Sequence, residues 1–155
     1  MNIRKATPED LEKIVELNSE LFRHDFEFDD TLDLAWPNSK WGRDYFEKSI
    51  TSERSFTLVA TENEDIIGYM IAGLPETPDY MKKEIRLVEV ENTFIVEKCR
   101  RQGIGEKMYE EVEAWGRDRG AKMMKIEASF DNEKARNFYK KMGLKEAGIT
   151  FHKEL

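Results

Sequence analysis

Cysteine is almost absent. Cys99 stands alone among 155 residues, so neither a disulfide framework nor a thiolate cluster can form within one chain. Histidine is nearly as scarce, with His24 and His152 far apart in sequence, and no metal site is expected. Long apolar runs are missing too: nowhere do about 18 apolar residues follow one another, which excludes a membrane-spanning helix. Basic charge is in deficit, with 25 Lys and Arg against 32 Asp and Glu and a net charge of −7. A nucleic-acid binder needs a basic face for the phosphate backbone, so that class is disfavoured. The opening "MNIRKATPEDLEKI" has no apolar signal core, and a reducing cytoplasm is the expected compartment.

What is present suits one domain, residues 1–155, around one core. Charged residues reach 37%, but aromatics at 11% argue against disorder. "MNIRKA" reads as a short strand. Thr7, Pro8 and Asp10 then form a helix-start signature, opening a helix over "TPEDLEKIVELNSELFRHD". Leu11, Ile14, Val15, Asn18, Leu21 and Phe22 share one face of it. An irregular acidic and aromatic block follows, then a helix over "WGRDYFEKSITS" and a hairpin over "SFTLVATENEDIIGYMIAGL". "PETPDY" is a loop, and "EIRLVEVENTFIV" carries the strongest strand signal. A helix from about Gly103 to Arg119, a strand "KMMKIEASF", a helix "DNEKARNFYKKMG" and a last strand or hairpin in "LKEAGITFHKEL" complete the chain. This order predicts an α/β fold, a mixed α+β sheet with helices on both faces.

Three stretches carry candidate chemistry. On the central strand, Glu89 and Glu91 share a face by alternation, which suits a general base but equally suits a solvated sheet face. The strand runs into "RRQGIG", where Gly103 and Gly105 let backbone approach an anion and a helix N-terminus favours negative charge. It is not the dinucleotide fingerprint, because Met108 occupies the third glycine position, and no Gly-Lys-Ser/Thr follows to make a P-loop. Further on, "DNEKARNFYKKMGL" places Asn132, Ala135, Phe138 and Tyr139 at helical spacing. Tyr139 alone reads as a core residue with a satisfied hydroxyl as readily as a catalytic one.

Taken in order, Arg100-x-x-Gly103-x-Gly105 and Asn132-x-x-Ala135-x-x-x-Tyr139-x-x-x-Gly143-Leu144 resemble the GNAT superfamily of acetyl-CoA-dependent N-acetyltransferases. The close match covers Arg86 to Leu144. The resemblance implies a mostly antiparallel twisted sheet splayed at its fourth strand, with about four helices. It implies acetyl-CoA as co-substrate, its pyrophosphate held by the backbone of Arg101, Gln102, Gly103, Ile104, Gly105, Glu106 and Lys107. The pantetheine arm would pair with Phe94, Ile95 and Val96, where a backbone N–H would polarise the thioester carbonyl. Asn132 would contact the arm or order its loop, and Tyr139 would protonate the leaving thiolate. Glu89, fourteen residues before Gly103, matches the general base of some members, with Glu91 as the fallback.

The resemblance places the acceptor pocket beside the block from Asp25 to Trp41. Asp29 and Asp30 would steer a cation, and Trp36, Trp41 or Tyr45 would stack on it; the same block also reads as a solvated loop anchored by a few aromatics. The expected reaction moves an acetyl group from acetyl-CoA to a primary amine of a small cationic molecule in a ternary complex. The alternatives are a protein amine as acceptor, or a non-catalytic acetyl-CoA sensor of the same fold. The expected partners are acetyl-CoA and an amine, without nucleic acid or membrane, and a homodimer is left open.

Overall fold

A computed structural model describes residues 1–75 and 85–153. Most of the expected "PETPDY" loop lies outside the described residues. The elements are β1 (Asn2–Lys5), α1 (Leu11–Asp25), α2 (Lys40–Thr51), β2 (Ser55–Glu62), β3 (Asp65–Gly73), β4 (Leu87–Ile95), α3 (Ile104–Asp118), β5 (Met123–Ile126) and α4 (Glu133–Lys141). Short 3₁₀ turns precede α1, α2 and α3.

One five-stranded sheet runs in the order β1-β2-β3-β4-β5. The first three pairings are antiparallel, and β4 with β5 is parallel. The β2–β3 turn places Asn63 and Glu64 at φ 49° and 71°, the conformation a tight hairpin needs. Alternation along the strands splits the core in two. Leu58, Met70, Val88 and Val90 pack with Met108, Val112 and Trp115 of α3. Val59, Tyr69, Ile71 and Phe94 pack with Ile14 and Leu17 of α1 and Phe46 and Ile50 of α2.

The start of α1 follows its signature. Thr7 N–H donates to Asp10 Oδ2 at 2.8 Å, and Arg4 grips the same carboxylate with two N–H groups at 2.6 and 2.9 Å. Residues Pro8–Asp10 form a 3₁₀ turn, and the α-helix proper begins at Leu11.

Two expectations change. The strand expected over "KMMKIEASF" shortens to Met123–Ile126. The last strand or hairpin expected in "LKEAGITFHKEL" is not formed: residues 144–153 have no regular structure and are almost wholly exposed. Their apolar side chains, such as Ile149 and Phe151, find no strand neighbour to bury against among the described residues.

Candidate active site

Strand β4 builds the site through one irregularity. Its register against β3 passes from Ala72↔Val90 to Ile71↔Asn92, so Glu91 is an inserted residue, a β-bulge. Before the bulge, Val88 and Val90 face α3; after it, Phe94 faces α1 and α2. Glu91 and Asn92 therefore both turn toward α2. Tyr45 Oη donates to Glu91 Oε2 at 2.6 Å, and Asn92 Nδ2 donates to Tyr45 Oη at 2.9 Å. The chain continues inward, because Asn18 Nδ2 donates to Asn92 Oδ1 at 3.1 Å and to Tyr69 Oη at 2.7 Å. Desolvation raises the Glu91 carboxyl above its ordinary value of 4.5. The Tyr45 hydrogen bond works against that rise, and the nearby Glu89 charge adds to it. Glu89 lies one pleat back on the same face and is ion-paired to Lys125 Nζ at 2.9 Å.

Among the described residues, the same strand is paired on one edge only beyond Val90, because β5 accompanies it just from Leu87 to Val90. Val96 N–H donates to Ile67 O of β3 at 2.9 Å. Alternation then turns the backbone groups of Asn92, Phe94 and Val96 toward β3 and those of Thr93 and Ile95 toward the open edge. The Ile95 carbonyl accepts from Arg100 Nε at 2.8 Å, and the Arg100 guanidinium lies 5.2 Å from the Phe94 ring centre. Thr93 was not among the expected site residues. Its hydroxyl oxygen is buried and lacks a hydrogen-bond partner among the described residues. An unsatisfied hydroxyl and unpaired strand amides suit the amide-rich arm of a ligand laid along this edge.

The expected anion turn adjoins that edge. Gly103, at φ 77°, caps α3, and a Cβ there would meet nothing within 4 Å. Arg101 is also left-handed, at φ 61°, and its side chain is exposed, as is that of Gln102. The first α3 amides, from Ile104, Gly105 and Glu106, have no helical acceptor, whereas Lys107 N–H is already bonded to Gly103 O at 3.1 Å. The Lys107 side chain lies beside Met1, Asn2 and Ile3, toward the β1 edge. Gly105 has a packing reason: a Cβ would sit 3.3 Å from Phe138 and 3.5 Å from Ile95. That contact, with the Lys141–Glu106 ion pair, docks α4 against the start of α3. Asn132 caps α4 by accepting from Ala135 N–H at 3.1 Å. Tyr139 is half-buried on α4, its hydroxyl raised above 10.0 by desolvation and secondarily by the charge of Asp25.

On the α1/α2 side of the bulge lies a cleft of about 450 Å³. Phe22, Leu32, Trp36 and Tyr45 give it apolar and aromatic surface, and Thr31, Asp33, Glu91 and Asn92 are its polar lining. Trp36 stacks on Phe22 at 5.6 Å and 8°, and meets Tyr45 at 5.6 Å and 52°. The Trp36 turn is fixed from both sides. Asn38 Nδ2 donates to Ser19 Oγ of α1 at 3.0 Å, and a Cβ on Gly42 of α2 would lie 2.2 Å from Trp36 O.

Of Asp29, Asp30, Trp36, Trp41 and Tyr45, expected to meet substrate, Trp36 and Tyr45 line this cleft. Asp29 closes a local turn by accepting from Thr31, Asp30 is exposed, and Trp41 is 78% exposed on the outside of α2. The polar chain from Asn18 to Glu91 was missed in the sequence, although Asn18 on an otherwise apolar helix face was a visible signal.

A model of the Acetyltransferase (GNAT) family matches residues 12–144, and the chain belongs to that family. An uncharacterised N-acetyltransferase from Archaeoglobus fulgidus is 23% identical over 94% of this chain and 93% of its own length. One from Methanocaldococcus jannaschii is 24% identical over 96% of this chain, which spans 62% of that longer protein. Among solved structures, a mutant of the BH1408 protein from Bacillus halodurans superposes with a TM-score of 0.88 at 23% identity, over 100% of this chain and 99% of that one. The aminoglycoside N-acetyltransferase AAC(6')-Iy, solved with CoA, superposes at 0.75 and 17% identity, over 99% of each chain. At such identities the structural likeness speaks for the fold.

Proposed function

We propose that this protein transfers the acetyl group of acetyl-CoA to a primary amine by direct attack in a ternary complex. The carrying observation is the half-unpaired strand β4. Its open edge at Thr93 and Ile95 lies beside the start of α3, whose first amides have no helical acceptor, and its bulge turns Glu91 into a cleft. The neighbour AAC(6')-Iy, which shares this fold, is solved with CoA, and that supports coenzyme A as the ligand.

In this reading the α3 amides and the Gly103 turn hold the pyrophosphate, with arginine side chains adding solvent-screened help. The Ile95 N–H polarises the thioester carbonyl. Glu91 takes one proton from the incoming ammonium. The freed lone pair forms the C–N bond at the carbonyl carbon, and collapse of the tetrahedral intermediate breaks C–S. Tyr139 gives its proton to the departing sulfur, and the second proton lost by nitrogen restores Tyr139 through water. The products are the N-acetyl amine, the coenzyme A thiol and one proton. What favours Glu91 over Glu89 as base is access, because Lys125 occupies Glu89 while Glu91 opens onto the cleft.

The test is thermal stability with acetyl-CoA, coenzyme A, NAD and ATP, followed by thiol release with an amine panel. Stabilisation by coenzyme A forms and thiol release with an amine are expected; stabilisation by NAD or ATP alone would sink the reading. In the same assay Tyr139→Phe should lower kcat by about 10²-fold with acetyl-CoA affinity little changed.

A further inference from the structure

We infer that the acceptor is a singly charged primary amine carried on a flat apolar body, an arylalkylamine, rather than a polyhydroxylated or polycationic amine. The inference rests on the acetyl-transfer reading above and refines it through the chemistry of the cleft lining.

Four of the walls are carbon surfaces: Phe22, Leu32, Trp36 and Tyr45. The three rings are fixed against one another, with neighbouring centroids 5.6 Å apart, so they offer a preformed face. Three of the polar groups that reach the cleft already have a partner inside the protein. Tyr45 donates its hydroxyl proton to Glu91, Thr31 donates to Asp29, and Asp33 Oδ1 accepts Ala35 N–H at 2.9 Å. Glu91 in the lining is the carboxylate that the bulge and Tyr45 hold in place. A guest with one ammonium group and a flat apolar remainder satisfies both surfaces at once: the ammonium meets Glu91 and the ring lies against Trp36.

An aminosugar fits poorly, although neighbouring structures belong to aminoglycoside acetyltransferases. Its many hydroxyls would lose water against carbon without gaining partners. A polyamine would meet two carboxylates among the described lining residues, Glu91 and Asp33, the latter already accepting Ala35 N–H through Oδ1; every further ammonium would lie against rings. The more acidic stretch lies outside: Asp29 is engaged in its own turn and Asp30 points to solvent.

The experiment compares kcat/KM for 2-phenylethylamine, tryptamine, spermidine, glucosamine and neamine, measured by thiol release at saturating acetyl-CoA. The arylalkylamines are expected to exceed the others by at least about tenfold. Higher kcat/KM for neamine, glucosamine or spermidine would overturn the inference while leaving acetyl transfer intact. Absence of acetyl-CoA stabilisation and of thiol release with every amine would instead overturn the reading beneath it. Two variants localise the effect. Trp36→Ala should raise KM for 2-phenylethylamine by about tenfold and change that for ethylamine little. Leu32→Lys, on a half-exposed loop position, should cut kcat/KM for arylalkylamines by about tenfold through charge repulsion while acetyl-CoA still stabilises the protein. Unchanged arylalkylamine kinetics in both variants would place the acceptor elsewhere.

Discussion

Glu91 carries two opposed demands. As an inserted residue in a bulge it is pushed toward neutrality by partial desolvation, and as the proposed base it must ionise. Its raised carboxyl sets the sign of two effects. A group whose folded pKa exceeds its unfolded value of 4.5 contributes stability below that value and loses it as pH rises through the folded pKa. At neutral pH, Glu91→Gln should therefore melt no lower than the parent protein, and should lower kcat by about 10²-fold. A thermal melt and a rate on one preparation check both. Tyr45 favours the ionised form by donating to it, so Tyr45→Phe should move the acidic limb of the kcat profile to higher pH. A limb that stayed in place would remove Tyr45 from its positioning role. At this scale the sequence was only partly legible. Alternation put Glu89 and Glu91 on one face, and the family resemblance implied a bulge near the end of this strand, but no local signal placed it at Glu91 or paired Lys125 of β5 with Glu89.

Among the elements, the start of α1 was the most readable, because Thr7, Pro8 and Asp10 act through local geometry. The Arg4 hydrogen bonds, chiefly, hold the Asp10 carboxyl below its ordinary 3.8. That stabilisation is present above pH about 3.8 and disappears as pH falls through the lowered folded value. Asp10→Asn should cost about 1–2 kcal/mol at pH 7, by denaturant melting, and much less near pH 2. The turn before α3 was legible for the same reason, since a left-handed cap calls for glycine. A Cβ at Gly103 would meet no atom within 4 Å, so the intrinsic cost of Gly103→Val is chiefly backbone strain of about 1–2 kcal/mol. Acetyl-CoA affinity should fall much further, by titration calorimetry, because the added carbons would occupy the anion's place. Gly105 was harder to read, since its neighbours Phe138 and Ile95 lie on other elements. The C-terminal segment was misread because a strand-like composition forms a strand only when a sheet edge accepts it.

The whole molecule is organised by a sheet whose spatial order follows chain order, with β1 to β4 in an antiparallel run and β5 joining in parallel. Such an order was inferable from the succession of patterns. The cleft was not, because its walls come from α1, the Trp36 turn, α2 and β4, and only the folded chain brings them together. The net charge of −7 has a consequence at this scale. Attraction of a cationic amine is screened by salt, so its KM should rise with ionic strength more than that of acetyl-CoA. The half-paired β4 strand leaves a further signature, in the rate at which its amides trade hydrogen for deuterium. Asn92, Phe94 and Val96 turn toward β3 and should be protected at all times. Thr93 and Ile95 face the gap and should exchange quickly in the free protein. With acetyl-CoA present, those two amides should slow while their neighbours keep their rates, writing the outline of the bound arm into every second residue of one strand.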